Sequence, residues 1–314
     1  PEAYAQYLIA RQLLNRGAAD GFRRGEEAFR KAVKLDPDYA PAWVGLAHAA
    51  YYSSGLARTA AEGQEATDRA VAAAEKAVAL GPDLGEAWAV RGWLRAFVNW
   101  DWQGAEADLK NALRLNSGDA QVWRRYGFLL ASLGRLPEAL AATRKSAELD
   151  PLAAEAWDNL GYLATASGDL ATARSASTRA LEIAPEQAYA ADHLAIADLL
   201  ERHAARALAT FEKSGEEVFR LQGIAMAQHD LGHAAESQRA LDELTRKYSH
   251  SSAFQIAQAY AWRGDLDRAF EWLERGRRQR DGGLGFLKSD PLLGKIRSDP
   301  RYVDLLRKMK LPPG

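Results

Sequence analysis

Apolar residues recur along this chain at the three- and four-residue spacing of a single helix face. The pattern runs through alanine-rich segments that fill almost the whole sequence, and Ala269 to Leu273 is a clear example. Strict alternation of apolar and polar residues never lasts long enough to predict a strand. We therefore predict an all-α fold.

A 34-residue repeat organises these helices. Four short stretches end in Ala105, Ala139, Ala173 and Ala207, each 34 residues after the one before. Large residues precede them at the start of the previous helix, and prolines follow at the joints; these are Trp88, Trp123 and Trp157, and Pro82, Pro151 and Pro185. Proline ends a helix because it lacks the N–H group. The register predicts paired helices in consecutive units.

The residues at fixed positions resemble the tetratricopeptide repeat family. The segment from 157 to 185 shows the pattern best, with Trp157, Leu160, Gly161, Ala173, Ala180 and Pro185. The resemblance implies a right-handed superhelical solenoid of helical hairpins. Small residues let the two helices of a hairpin approach closely, and each hairpin buries its apolar face on its neighbours.

The repeat count sets the expected domain organisation. Residues 1–283 are expected to form a solenoid of about seven to eight hairpins, and residues 284–314 to form capping helices. Pro37 and Pro82 lie 45 residues apart, which is 11 more than one repeat. We expect this surplus near Tyr51 to Gly55, as a longer hairpin connection. Two Ser-Asp-Pro sequences, ending in Pro291 and Pro300, predict helix starts in the tail.

The stretch Trp100-Asp101-Trp102 could suggest a ligand pocket. Asp101, however, occupies the turn position of Asp169 and Asp265, where a carboxylate accepts N–H groups of the next helix. Trp102 occupies a leucine position and is expected to pack between helices. Capping and packing are therefore the favoured interpretation of this stretch.

Charge and composition limit the classes of partner. The chain has 41 Lys and Arg against 42 Asp and Glu, so its net charge of −1 does not favour nucleic acid or an anionic membrane. We expect a soluble chain, cytoplasmic or periplasmic, without direct membrane insertion. The absence of cysteine excludes disulfides and thiolate chemistry. A start at Pro1 without Met suggests a piece of a longer protein.

Sequence motifs for catalysis or cofactor binding do not occur in this chain. The phosphate-binding, zinc-helix and serine-elbow patterns are missing. His229 and His233 have metal-ligand spacing, but a turn at Gly232 would place them on different faces. Arg275, Arg277, Arg278 and Arg280 could contact phosphate, although a helix C-terminus also favours cations. We predict no enzyme activity, metal or cofactor.

Longer motifs resemble the C-terminal repeat regions of bacterial signalling proteins. They include residues 3–16, Trp100 to Glu106, residues 264–274 and Phe286 to Tyr302. In that group the repeats follow a winged-helix, nucleotide cyclase or Ser/Thr kinase output domain. The resemblance implies an input or interaction module, and an oligomerisation module for such an output domain is the alternative.

The predicted partner surface is the concave face of the first helices. Aromatic residues and arginine are enriched in binding hot spots. The candidate residues are Trp93, Phe97, Arg124, Arg125, Phe128, Asp158, Asn159 and Tyr162. The alternative is that the aromatic residues pack on adjacent helices and that Arg124 pairs with Asp158. The expected partner is a protein or peptide, and a homo-oligomer is possible.

Overall fold

The computed structural model describes residues 1–15, 19–55, 57, 59–185 and 188–313. Helices and turns account for these residues, with no strand among them. The all-α prediction is confirmed. The chain divides into two compact units, Pro1–Arg125 and Tyr126–Gly314, which are described separately as unit 1 and unit 2.

Helices α1 to α16 follow one another in pairs. Unit 1 contains α1 (Glu2–Asn15), α2 (Ala19–Leu35), α3 (Ala40–Gly55), α4 (Ala60–Leu80), α5 (Gly85–Leu94) and α6 (Trp102–Leu115), and the first part of α7 (Ala120–Ser132). Unit 2 contains the rest of α7, then α8 (Leu136–Leu149), α9 (Ala154–Ala166), α10 (Leu170–Ile183), α11 (Ala188–Leu200), α12 (Ala204–Phe211), α13 (Glu217–Asp230), α14 (Ala234–Tyr248), α15 (Ala253–Trp262) and α16 (Leu266–Gln279). The odd-numbered helices are called first helices below.

Small residues set the distance between paired helices. A Cβ added to Gly161 on α9 would lie 2.3 Å from Ser177 Oγ on α10, and one added to Gly127 on α7 would lie 2.8 Å from Thr143 on α8. Ala105, Ala139, Ala173 and Ala207, the register alanines, are at most 1% exposed. The paired helices therefore approach as closely as the small residues predict.

A tryptophan near the start of four first helices binds the joint that precedes it. The indole N–H groups of Trp43, Trp88, Trp123 and Trp157 donate to the carbonyl oxygens of Pro37, Pro82, Ser117 and Pro151 at 2.8, 2.8, 2.8 and 3.0 Å. Each bond spans six residues. These side chains fix the joints between units.

The turn between paired helices needs one residue with positive φ. Trp100, Gly134, Gly168 and Arg202 adopt φ of 53°, 80°, 78° and 64° at the same place in successive repeats. Glycine adopts this conformation freely, whereas other residues are strained in it. Trp100 is 7% exposed and Trp102 is 5% exposed, and Asp101 accepts the Gly104 N–H at 3.0 Å. The capping and packing interpretation of this stretch is confirmed.

The surplus residues of the second repeat lengthen its helices instead of the connection. Tyr51 to Gly55 belong to α3, which has 16 residues, and α4 has 21. Part of the predicted connection, Leu56 and Arg58, lies outside the described residues. The expectation of a longer connection at Tyr51–Gly55 was wrong because alanine-rich residues 60–80 favour a longer helix.

The tail continues unit 2 beyond α16 as two 3₁₀ helices, Gly282–Phe286 and Pro291–Ile296, and α17 (Pro300–Lys308). Asp290 and Asp299 cap the starts at Pro291 and Pro300, as the Ser-Asp-Pro sequences predict. Residues 282–296 are called the C-terminal segment. Its Leu284, Leu287, Leu293 and Ile296 side chains are 0% exposed, so the segment is part of the core of unit 2.

The positive-φ turn gives a paired test of backbone strain. Arg202 is exposed, and Arg202→Gly should raise the free energy of unfolding by about 0.5–1 kcal/mol because the strain is relieved. A Cβ on Gly168 would meet nothing within 4 Å, so Gly168→Ala adds only backbone strain. It should lower the free energy of unfolding by about 1 kcal/mol. Denaturant unfolding of both variants measures these changes, and a loss of stability in Arg202→Gly would contradict this account.

The register alanines predict a second, larger effect. Ala173→Trp should lower stability by about 1–3 kcal/mol or more, because the close α9–α10 contact cannot accept the added volume. Ala171 is an exposed residue of the same helix, and Ala171→Trp is the matched control that should unfold close to the wild-type temperature. Equal melting temperatures for the two variants would show that the register does not set the helix contact.

Candidate functional site

In unit 1, aromatic side chains cover the face of the first helices. Tyr51 contacts Trp93 edge-on at 6.5 Å between ring centroids, and Trp93 lies 4.1 Å from Phe97. Tyr52 stacks on Phe22 at 4.8 Å. Phe97 is 8% exposed, whereas Trp93 is half-buried. Of the two predicted aromatic residues, Trp93 is therefore the more accessible.

Two arginines of α7 add positive charge to this face. Arg124 is 8% exposed and donates to Gln121 Oε1 at 2.8 Å. Burial and the neighbouring Arg124 lower the pKa of Arg125 to about 10. No carboxylate lies within 4.0 Å of the Arg125 guanidinium in the described part of unit 1. Arg125 is thus a half-buried cation without an ion pair.

The positive charges of Arg124 and Arg125 also act on His48. Burial lowers the pKa of His48 to about 3, and the charges of Arg125 and Arg124 lower it further. The His48 ring also lies 4.7 Å from the Tyr52 ring. His48 is therefore neutral at physiological pH and cannot balance the arginines. We call this part of unit 1 the basic-aromatic surface, formed by His48, Tyr52, Trp93, Phe97, Arg124 and Arg125.

In unit 2, two of the predicted residues contact the C-terminal segment. Phe286 lies 5.4 Å from Phe128 and 5.7 Å from Tyr162 between ring centroids, edge-on to both. The Tyr162 hydroxyl donates to Asp290 Oδ2 at 3.4 Å, and burial and Asp290 raise the pKa of Tyr162 well above its ordinary value. The chain itself therefore covers part of the predicted partner face.

Asp158 and Asn159 lie farther along the same face of unit 2. Asp158 is 4% exposed and binds His193 Nδ1 at 2.7 Å. Burial lowers the pKa of His193, but Asp158, Asp192 and Asp290 outweigh burial, so the pKa is raised. The Asn159 Nδ2 atom is buried without a hydrogen-bond partner. Sequence placed these residues on one surface, but the histidine partner of Asp158 comes from the next first helix.

Asp192 on α11 is the residue that sequence reasoning missed. It is 2% exposed, its Oδ2 accepts the Ser214 hydroxyl at 3.0 Å, and its Oδ1 has no partner. Burial raises the pKa of Asp192 to about 6, against the opposing Ser214 hydrogen bond and the charge of His193. The carboxylate is therefore buried with half of its acceptor capacity unused.

Three other buried carboxylates are paired with arginine, whereas Asp158 binds His193 and Asp290 accepts hydrogen bonds from Gln258 and Tyr162. Glu26 lies 2.7 Å from Arg30 and 3.2 Å from Arg69. Asp108 lies 2.8 Å from Arg91 and 3.2 Å from Arg95. Asp198 lies 2.5 Å from Arg174 and 2.6 Å from Arg206. Because a buried charge needs compensation, two guanidinium groups per carboxylate are a recurrent arrangement here. Asp192 is not paired with arginine in this way.

Two clusters could invite a metal interpretation. Ligand atoms of Asp198, Glu201 and His203 lie within 4.8 Å of one another, but Arg174 binds both acids and occupies the cation position. Gly232 has φ of 80° and separates His229 from His233, as the sequence predicts. His233 Nδ1 bonds to Gln228 Oε1 at 2.7 Å. The Asp198–Glu201–His203 cluster and His233 therefore have side-chain partners within the protein.

The predicted arginine cluster lies at the end of α16. Arg277 binds Glu274 at 2.7 Å, and the Arg275 guanidinium lies 4.7 Å from the centre of the Trp272 ring. Trp272, Arg275 and Arg278 line an open surface depression of about 380 Å³ together with Glu271 and Gln279. Arg277 is thus in an ion pair, and Arg275 is in a cation–π contact.

Sequence profiles of the tetratricopeptide repeat match residues 94–151 and residues 154–187. These stretches are tetratricopeptide repeats. Such repeats generally mediate protein–protein interactions, and the fold is typically a non-enzymatic scaffold. No curated protein sequence matches the chain. Among the described helices, none is both long enough and apolar enough to span a bilayer.

Solved structures show the same fold. A thermophilic TPR protein of Thermus thermophilus is 22% identical, with a TM-score of 0.53 over 63% of this chain and 99% of that one. Yeast Tom70 is 17% identical, with a TM-score of 0.54 over 98% of this chain and 68% of Tom70. The human IFIT1 dimer with m7Gppp-AAAA is 18% identical, with a TM-score of 0.61 over 86% of this chain and 70% of IFIT1.

The unpaired state of Asp192 gives a pH-dependent prediction. Its folded-state pKa of about 6 exceeds the ordinary value, so the folded state holds this proton more tightly than the unfolded state. Its contribution is favourable at low pH and is lost as pH rises through about 6. Asp192→Asn, which can keep the Ser214 bond, should raise stability at pH 8 on the order of 1 kcal/mol and have little effect near pH 4.

Asp198→Asn is the matched control for this prediction. Asp198 lies on the same helix but binds two arginines, whose hydrogen bonds outweigh burial and lower its pKa. Its replacement should therefore reduce stability at pH 8. Denaturant unfolding at pH 4 and pH 8 measures the stability of both variants. If Asp192→Asn is less stable than the wild type at pH 8, the charge of Asp192 is already compensated in the folded protein.

Proposed function

We propose that this chain is a protein-interaction module that binds a peptide or partner segment on the basic-aromatic surface of unit 1. The observation that carries the proposal is Arg125, a half-buried guanidinium that has no ion pair among the described residues and interacts electrostatically with Tyr52 and His48. A carboxylate of the partner would supply the missing charge, since charge-assisted hydrogen bonds to arginine are strong. Trp93 and Phe97 would pack against apolar side chains of the same segment.

The proposal assigns different roles to the predicted residues of unit 2. Phe128 and Tyr162 hold the C-terminal segment, since both contact Phe286. Asp158 and Asn159 belong to unit 2 and lie outside the basic-aromatic surface. The resemblance of the terminal motifs to repeat regions of bacterial signalling proteins supports a role as input module for an output domain.

Oligomerisation is a second candidate, and one observation favours it. Tyr4, Leu8 and Ile9 on α1 are 55%, 45% and 47% exposed. Tyr4 and Leu8 are four residues apart and share a helix face, so they form an apolar strip that a second copy could cover. Light scattering of the wild type and of Leu8→Lys tests this role. If both proteins are monomers, oligomerisation is excluded and peptide binding is left as the proposed function.

Peptide selection tests the proposed function. Display of 12-residue random peptides on the whole chain should enrich sequences with Asp or Glu near apolar residues. Arg125→Gln should weaken the selected peptides by about 2 kcal/mol, roughly 30-fold, if Arg125 is a hot spot. Arg23 is exposed in the same unit, and Arg23→Gln changes the same charge as a control.

Fluorescence anisotropy of one selected peptide gives the affinities. Equal binding by wild type and Arg125→Gln would overturn the assignment of this surface. A single-stranded RNA oligonucleotide is measured in parallel, since arginine with aromatic residues can also hold bases. Binding of the oligonucleotide without peptide binding would replace the protein partner by a nucleic acid.

A further inference from the structure

A second surface, in unit 2, contains a buried carboxylate oxygen without a hydrogen-bond partner. It is formed by α9, α11 and α13, which are first helices that contact one another in sequence. Its residues are Asn159, Tyr189, Asp192, Glu216 and Phe219, and we call it the acidic surface. Tyr189 is 44% exposed, and its ring lies 5.5 Å from the Phe219 ring, edge-on.

The charges around Tyr189 have one sign. Burial raises the pKa of Tyr189, and the carboxylates of Glu216, Asp158 and Asp192 raise it further. The charged groups that act on Asp192 are His193, Asp158 and Glu216. His193 is the one group among them that becomes positively charged on protonation, and it binds Asp158. The described part of the surface therefore carries more carboxylate than its own side chains neutralise.

The unused atoms of this surface point to a ligand with hydrogen-bond donors. Asp192 Oδ1 is a buried acceptor without a partner. Three other buried carboxylates, Glu26, Asp108 and Asp198, each contact two arginines, so guanidinium groups already compensate buried carboxylates in this chain. The exposed Tyr189 ring and the half-buried Phe219 ring are available as aromatic contacts. Guanidinium groups lie over aromatic rings elsewhere in this chain, as Arg91 over Trp88 and Arg301 over Phe270, at 4.6 and 4.4 Å.

We infer that the acidic surface binds an arginine side chain of a partner protein, with Asp192 and Glu216 as its carboxylates and Tyr189 and Phe219 as its aromatic contacts. Arginine fits better than lysine because its planar group can bind a carboxylate and lie on an aromatic ring together. Because Asp192 Oδ1 is buried, neighbouring side chains must move for the guanidinium to reach it. Glu216 is exposed and meets the cation first.

The inference goes beyond the proposed function, since it concerns another surface and the opposite charge. Here the partner segment contributes an arginine, whereas on the basic-aromatic surface it contributes a carboxylate. The two can fail separately, because Arg125→Gln removes the charge of unit 1 and leaves the acidic surface unchanged. Arginine binding should therefore persist in Arg125→Gln.

A peptide array on the full chain tests the inference. The probes are 12-residue peptides with a central arginine and varied flanks, together with the same peptides carrying citrulline, which keeps the shape and removes the charge. The strongest arginine peptide should bind at least about tenfold more tightly than its citrulline form. A lysine form should bind between the two. Equal binding of the arginine and citrulline peptides would overturn the inference.

Variants locate the binding on this surface. Glu216→Gln changes an exposed side chain and should weaken the arginine peptide by about threefold to tenfold. Glu212 is exposed in the same loop region, and Glu212→Gln is the matched control that should bind as wild type. Asp192→Asn should weaken binding by about tenfold or more, with its fold checked by circular dichroism. Wild-type affinity in both Glu216→Gln and Asp192→Asn would show that the arginine binds elsewhere.

The pH dependence provides a further readout. Asp192 must lose its proton to pair with arginine, so affinity should fall between pH 7.5 and pH 5.5 in the wild type. The fall should be smaller in Asp192→Asn, which has no proton to lose at this position. An equal fall in both proteins would remove Asp192 from the site.

Discussion

The fold depends on the close approach of two helices at a position that has no room for a side chain. In unit 2, Gly161 lies so near α10 that an added Cβ would overlap Ser177, and the same contact recurs at Gly127 against α8. In unit 1, a Cβ on Gly92 would lie 3.0 Å from Leu109. This contact fixes which face of each first helix is turned inward to its partner. The opposite face is then left for neighbours and ligands.

The sequence predicts what local rules control. The 34-residue spacing identifies the paired helices, and the caps at Asp101, Asp169 and Asp265 form where the turn position places them. Helix lengths in the second repeat were mispredicted, since alanine-rich residues continue a helix without altering its period. Periodicity gives the type of element more reliably than its ends.

The candidate site was less predictable because its chemistry arises between distant residues. Nothing near Asp192 in the sequence shows that its carboxylate is buried, or that arginines reach Asp198 six residues later but not Asp192. The contact of Phe286 with Phe128 and Tyr162 joins residues far apart in the chain. Only the three-dimensional arrangement shows which polar groups are compensated.

The near-zero net charge conceals two surfaces of opposite sign. Arg125 leaves unit 1 with a guanidinium that has no ion pair among the described residues, whereas Asp192 and Glu216 leave unit 2 with negative charge. The net charge of −1 argued only against electrostatic attraction to nucleic acid or an anionic membrane. Local charge instead favours partners that carry their own acidic and basic residues, and salt would weaken both contacts.

The C-terminal segment also changes how unit 2 can unfold. A stack of helix pairs normally has only nearest-neighbour contacts, so one end can unfold while the other persists. The Tyr162–Asp290 hydrogen bond joins residues 128 positions apart, and Phe286 extends this closure to α7. The helix pairs between α7 and the C-terminal segment cannot unfold one by one without breaking these long-range contacts. Unit 2 should therefore fold as one cooperative block, with the slower folding that long-range contacts impose, although it is built from repeats.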